Sequence, residues 1–375
     1  MEKFSAFRDP GTGVQPFLPL VPPPLDLLAK FSVPLALLVG VVRTALVLLL
    51  LAVHLILVGG LCVIFIPVPP VHRLVTHVLT AITARLALLT LGIFWISIDN
   101  VTRKRGRGAK DIETWNPRAG DLIVSNWVSW IEILWLAFRF NPIFVLPATE
   151  TAPSPAVPAT SKAISHTPGR RTGTGSANIG AASRAPTVRI PIVGFRQVSL
   201  LSALQFTGRA PPFGSGSYQS LEEIRRHAGR PVVIFPECTT SNGRALLHFA
   251  DVFKEKVPVR AYNVFVMCVR YDPPTRFAAT LAHTIPTSLN PLSHVFSVAT
   301  SLAPQAVSIR LLAPSESPSS QLFLASEVLT GSNQADPLAD ACAALIAQIG
   351  KTKRTGMGWE DKLSFLDLFH TKKKR

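Results

Sequence analysis

Two long apolar runs between Val33 and Ile98 limit what this chain can fold into. Thr44 to Ile66 reads TALVLLLLAVHLILVGGLCVIFI and holds no full charge. About 20 such residues cross a bilayer core as a helix. The apolar pattern starts at Val33 and is interrupted by Arg43, which is costly at mid-bilayer and is expected near the interface. Pro67-Val68-Pro69-Pro70 then ends the helix, because proline cannot donate to the ladder. The second run, Val75 to Ile98, carries His77 and Arg85 and closes on LALLTLGIFWISI. The expected element is a hydrophobic helical hairpin over residues 33–100, spanning the bilayer or lying in one leaflet. His54 and His77 within it read best as interfacial or helix-contact groups.

The flanks set the orientation. Residues 1–32 are proline-rich, with Val21-Pro22-Pro23-Pro24, and read as a flexible cytosolic lead. The apolar run starts too late and lasts too long for a cleavable signal peptide. Arg103, Lys104, Arg105, Arg107 and Lys110 follow the second run, and such charge marks the cytosolic side. A net charge of +16 and a mean hydropathy of +0.33 favour an anionic lipid or phosphorylated partner. Nucleic acid is not expected, since the basic residues are not interleaved with aromatics and no binding motif occurs. Cys62, Cys238, Cys268 and Cys342 form neither a CxxC pair nor a zinc pattern, so no metal site is expected.

From about Gly120 the pattern becomes that of an α/β domain, read over residues 101–330. Asp121-Leu122-Ile123-Val124 is a short buried strand, followed by a helix from Trp130 to Phe140 with Ile131, Leu134, Trp135 and Phe138 on one face. Ile143-Phe144-Val145-Leu146 is the next strand. Residues 148–188 are rich in Ala, Pro, Ser, Thr and Gly and lack Phe, Trp and Tyr, which predicts a disordered insertion. Gly173-Thr174-Gly175 inside it lacks the strand and helix of a nucleotide loop. Ser217 or Ser220 can cap a helix through His227, and Ser220 with Glu223 has capping-box spacing. Val264 to Val269 and Val307 to Leu312 read as strands. Residues 331–375 hold a helix from Asp336-Pro337 to Gly350, with Leu338, Cys342, Leu345, Ile346 and Ile349 on one face, and a basic end, Lys372-Lys373-Lys374-Arg375.

The chemistry concentrates in Phe235-Pro236-Glu237-Cys238-Thr239-Thr240-Ser241-Asn242-Gly243-Arg244, which follows the apolar run Pro231 to Ile234. A strand that stops at Pro236 delivers a carboxylate, three hydroxyls and an arginine onto one turn, a combination suited to an anion. The stretch resembles the FPEGTxSxG phosphate-binding signature of the glycerophosphate/lysophospholipid acyltransferases, with Cys238 in place of glycine. That resemblance covers about residues 120–315. The family's NHxxxxD motif has its counterpart in Asn126-Trp127-Val128-Ser129-Trp130-Ile131-Glu132, where asparagine and a carboxylate are kept and histidine is replaced by Trp127. The family's GxIFIDR arginine is matched by Arg209 in Ala203-Leu204-Gln205-Phe206-Thr207-Gly208-Arg209.

The resemblance implies an α/β fold with a mixed sheet on the cytosolic face of a membrane hairpin. It further implies transfer of a fatty acyl group from acyl-CoA, a co-substrate rather than a cofactor, to lysophosphatidic acid or a related lysophospholipid, giving phosphatidic acid. Membrane lipids are the remaining partners. Asn126, Glu132 and Glu237 are the implied catalytic residues, and Thr239, Thr240, Arg244 and Arg209 the implied phosphate ligands. For Glu132 two readings stay open: a weak base, or the cap of a helix through Ser129-Trp130-Ile131-Glu132. Trp127 has no basic nitrogen, so a non-catalytic phospholipid-binding member of the same fold is the alternative. The hairpin, the degenerate first motif and the basic end resemble a fungal lysophosphatidic acid acyltransferase subgroup, which implies endoplasmic reticulum membrane or lipid droplet. Lys372 and Lys373 also resemble a dilysine retrieval signal.

Overall fold

The chain enters its main sheet at Trp95–Val101 (β1). It continues through Leu122–Ser125 (β2), Ile143–Ala148 (β3), Gly194–Val198 (β4), Val232–Ile234 (β5), Ala245–Leu246 (β6), Val264–Tyr271 (β7), Ala306–Leu312 (β8) and Lys353–Arg354 (β9). The helices are Val33–His54 (α1), Pro69–Thr90 (α2), Ile131–Phe140 (α3), Leu200–Phe206 (α4), Leu221–His227 (α5), Leu292–Ala299 (α6), Pro337–Gly350 (α7) and Trp359–Lys373 (α8). This computed structural model describes residues 2–24, 26, 30–103, 113–150, 187–214, 216–329 and 335–373.

Seven strands form one mixed sheet in the order β1-β8-β7-β2-β5-β3-β4, while β6 and β9 pair separately. β7, β2, β5 and β3 run parallel, with Ile123 opposite Phe265 on one side and Val233 on the other. β4 and β8 join antiparallel to β3 and β7. Side chains alternate between faces, so Ile123, Val233, Phe265 and Met267 enter one core and Leu122, Val124, Val232, Ile234 and Val266 the other. Both faces are covered, which is why these strands read as continuous apolar runs. Because β2 and β5 are parallel neighbours, the loops that leave them emerge at the same edge. Open α/β sheets place ligands at that edge.

Helical structure continues past α1 through a π-helical stretch at Leu55–Gly60 and a 3-10 stretch at Leu61–Phe65, followed by α2. Both hairpin helices are long and apolar enough to cross a membrane. α1 leaves Leu38 and Leu49 exposed and the π-helical stretch leaves Ile56 exposed, whereas α2 buries Ala84, Ala87 and Leu88 in the core that holds α3. Arg43 is not left to headgroups. Its Nη1 donates to Ser301 O at 2.6 Å and Ala299 O at 3.3 Å, satisfying carbonyls at the end of α6. Gly40 lets α1 approach closely, since a Cβ there would sit 2.5 Å from Thr300 Cγ2.

Several boundaries differ from the sequence expectation. The end of the apolar run, Trp95 to Val101, is a strand paired in parallel with β8, so the hairpin stops near Thr90 and residues 95–100 belong to the sheet. Gly92, at φ +87, makes the turn, and the β-branched alternation after it suits a strand. Residues 2–24 are not a free lead. Phe7 and Phe17 are buried against Phe365 and Met357, because aromatic area gains more from burial than the short segment loses in entropy. The end of the chain is not only a tail: residues 359–373 form α8, with Trp359 and Phe365 buried. Ala148 ends β3 and Thr149 makes an isolated bridge to Phe213, so the insertion begins later than 148; residues 151–186, 104–112 and 374–375 lie outside the described residues. α3 is buried on every side from Ile131 to Ala137 rather than on one face, being packed between the sheet and α2. α7 begins as expected, with Asp336 accepting from Ala339 N at 3.1 Å.

Candidate functional site

The loops after β2 and β5 are tied to each other by Glu237. Its Oε1 accepts from Trp127 N at 2.9 Å and its Oε2 from Leu247 N at 3.1 Å. The two motif stretches seen in the sequence are therefore one structural unit. Trp127 is buried, stacks on Phe235 with ring centroids 4.8 Å apart, and donates its Nε1–H to Ser129 O at 3.2 Å. It acts as packing and as a donor, and it offers no lone pair. Cys238 holds φ +57, a left-handed conformation where the related signature has glycine.

Asn126 joins β2 to β7, its Nδ2 donating to Val269 O at 3.0 Å and its Oδ1 accepting from Val269 N at 2.7 Å. Glu132 accepts from Val128 N at 2.5 Å, Ser129 N at 2.7 Å and the Tyr271 hydroxyl. Of the two readings for Glu132, the geometry is that of the helix cap: the carboxylate reaches back to the N–H groups ahead of α3. Burial pushes its pKa up to about 7, against the pull of the Ser129 and Tyr271 hydrogen bonds. Burial also pushes Glu237 up to about 8, opposed by its two backbone donors.

The expected phosphate ligands separate into two groups. Thr239 and Thr240 are fully buried. Thr240 Oγ1 donates to His283 O at 2.5 Å, and Lys362 Nζ donates to Thr240 O at 2.5 Å and to its Oγ1 at 3.0 Å. Thr239 Oγ1 is buried without a partner among the described residues. Asn242 is clamped by the N-terminal segment, donating to Gln15 O at 2.7 Å, Leu18 O at 3.0 Å and Pro16 O at 2.8 Å. Arg244 and Arg209 stay exposed and do not join this buried cluster. A four-ligand phosphate cradle is thus not assembled: two hydroxyls are internal and two guanidinium groups face solvent.

The sequence did not point to His283, Asn290, His294 or Lys362. His283 is 3 % exposed, its N–H donates to Val128 O at 2.9 Å, and its Nε2 lies 2.6 Å from Asn290 Oδ1. Asn290 Nδ2 donates to Gln205 O and Thr207 O, both at 2.7 Å. His294 Nδ1 accepts from Trp130 Nε1 at 2.9 Å and its Nε2 lies 3.0 Å from Thr280 O. The two imidazoles pack with centroids 4.6 Å apart. Burial lowers His283 to about 4 and His294 to about 3, and it drives the Lys362 ammonium well below its ordinary value, against the attraction of Glu237. Isolated histidines and one lysine near a basic end carry no spacing signal that would have revealed them.

Beside this polar cluster lies an apolar cavity of about 280 Å³ between α1, α2 and the α/β domain. Leu51, Ala87, Trp130, Leu204 and Leu292 line it, with Asn290 as a polar group in its wall. Asn290 therefore links the cavity to His283, and His283 links it through Thr240 to the Phe235–Arg244 loop. Among the described residues, no group of three or more His, Cys, Asp or Glu side chains is placed to hold a metal ion. Fold and site together define a mixed α/β sheet with an apolar helical hairpin and a buried polar cluster at the carboxyl ends of its central strands. No family model, curated protein or solved structure matches this chain.

Proposed function

We propose that the protein is a membrane-bound acyltransferase that moves a fatty acyl group from acyl-CoA to lysophosphatidic acid or a related lysophospholipid. The observation that carries this reading is the apolar cavity walled by the hairpin on one side and by Trp130 and Asn290 on the other. A lipid-facing hairpin supplies a path for an acyl chain, and the cavity's inner wall meets the polar cluster where transfer would occur. Its volume approaches the roughly 300–1,000 Å³ common for ligand sites. Arg244 and Arg209, the exposed cations of the motif stretches, are the groups left to meet the acceptor phosphate. The acyltransferase resemblance and the net charge of +16 agree with work at the cytosolic face of an endoplasmic reticulum or lipid-droplet membrane.

One observation favours a second reading, in which the same cavity binds lipid without turnover. Glu132, Glu237 and Thr240 spend their polar atoms on backbone and internal partners, and Trp127 has no base. Purified protein in vesicles given radiolabelled oleoyl-CoA and lysophosphatidic acid separates the two. The enzyme reading expects labelled phosphatidic acid, lost when Leu204→Trp fills the cavity. Absence of label with the wild-type chain sinks that reading and leaves lipid binding.

A further inference from the structure

We propose that His283 is the general base of this site, held in its reactive tautomer by Asn290. The inference rests on the acyltransferase reading and supplies the proton acceptor that Trp127 does not.

Asn290 fixes the tautomer. Its Nδ2 gives both protons to Gln205 O and Thr207 O, so its Oδ1 is an acceptor facing His283 Nε2. His283 must then carry its proton on Nε2, which leaves the lone pair on Nδ1. Among the described residues Nδ1 has no hydrogen-bond partner. The neighbouring groups are spent. Trp130 Nε1 can only donate, so His294 Nδ1 accepts and its Nε2–H is aimed at Thr280 O. Glu132 and Glu237 accept from backbone N–H groups and have no free proton path. Lys362 (α8), His294 (α6) and Asn290 are the titratable and polar groups packed around the ring; burial opposes its protonation first, and the Lys362 amine adds to that. The imidazole stays neutral, the form a base requires.

The position suits the reaction. Asn290 lines the cavity, the His283 ring lies directly behind it, and the His283 backbone carbonyl accepts from Thr240 of the Phe235–Arg244 loop. In the transfer, the acceptor hydroxyl oxygen forms a bond to the thioester carbonyl carbon while Nδ1 takes the hydroxyl proton. The C–S bond then breaks, and the imidazolium returns that proton to the leaving sulfur, releasing CoA as a thiol. No other co-reactant is needed.

His283→Gln keeps a donor for Asn290 and removes the basic nitrogen. Full-length protein carrying it should lose about 10²–10⁴ in kcat, with KM for both substrates within threefold and an unchanged melting temperature. Lys362→Met leaves the imidazole and Asn290 in place and removes a nearby positive charge. It should move the acid limb of the pH–rate profile to higher pH, a shift that a structural role would not produce, and it decides the matter if His283→Gln does not fold. Retention of more than a third of wild-type kcat in His283→Gln, or an acid limb unmoved by Lys362→Met, overturns the assignment while leaving the acyltransferase reading intact. A wild-type chain that transfers no acyl group overturns both.

Discussion

Glu237 shows how a residue that reads as catalytic can hold two loops in place. Each carboxylate oxygen accepts one backbone N–H, a task glutamine fills only on one side. Its raised pKa gives a signed expectation. A carboxyl with pKa about 8 when folded, against 4.5 unfolded, binds a proton in the native state over that interval. Stability therefore falls as pH rises through it, by at most about 1.4 kcal/mol per unit. His283 and His294 act in the opposite direction, gaining stability as pH rises, but only up to their unfolded value of 6.5. Glu132, near 7, acts in the same direction as Glu237, whereas Lys362, driven well below its ordinary value, acts in the opposite one. Chemical denaturation should thus show wild-type stability falling from pH 7 to 8 relative to Glu237→Gln, whose baseline should be lower by roughly 1–3 kcal/mol. Trp127→His is the second residue-scale test. Removing the ring stacked on Phe235 should cost roughly 3 kcal/mol without raising transfer, because the position serves packing. A gain in kcat would contradict that.

At the scale of elements, the hairpin is coupled to the α/β domain at the end of α6. Arg43 and Gly40 both meet this point, one by donating to Ala299 and Ser301, the other by close approach to Thr300. Gly40→Val should push α1 outward, deform the cavity wall and weaken binding of a fluorescent fatty acid tenfold or more, with far-UV circular dichroism unchanged. Unaltered binding would show that α1 does not shape the cavity. The elements that were legible in the sequence carry strong local signals: β2, β3, β5, β7 and β8 are short apolar runs, and α5 and α7 open on Ser220 and Asp336 caps. β1 was hidden because Trp95 to Val101 continues an apolar run, and only pairing with β8 makes it a strand. α8 was hidden behind its lysines, although Trp359, Lys362 and Phe365 are buried. Of the site, the two motif stretches were legible as polar turns after apolar strands, whereas their contact through Glu237 and the place of His283 were not. A lone histidine becomes informative only when folding sets Asn290 beside it.

For the molecule as a whole, its two ends converge on one loop. The N-terminal segment holds Asn242, and α8 supplies Lys362 to Thr240. The polar cluster is thereby closed on its loop side, leaving the hairpin cavity as the apolar approach. Both functional readings require an acyl chain in that cavity, so its occupancy is the central claim. Purified full-length protein in vesicles, labelled with a photoreactive oleoyl probe and mapped by peptide mass spectrometry, tests it. Labelled positions should fall on the cavity wall, at Leu51, Ala87, Leu204 or Leu292, and should vanish with Leu204→Trp. Labelling confined to exposed positions of α1 and the π-helical stretch after it, at Leu38, Leu49 or Ile56, and unaffected by that substitution would contradict the account.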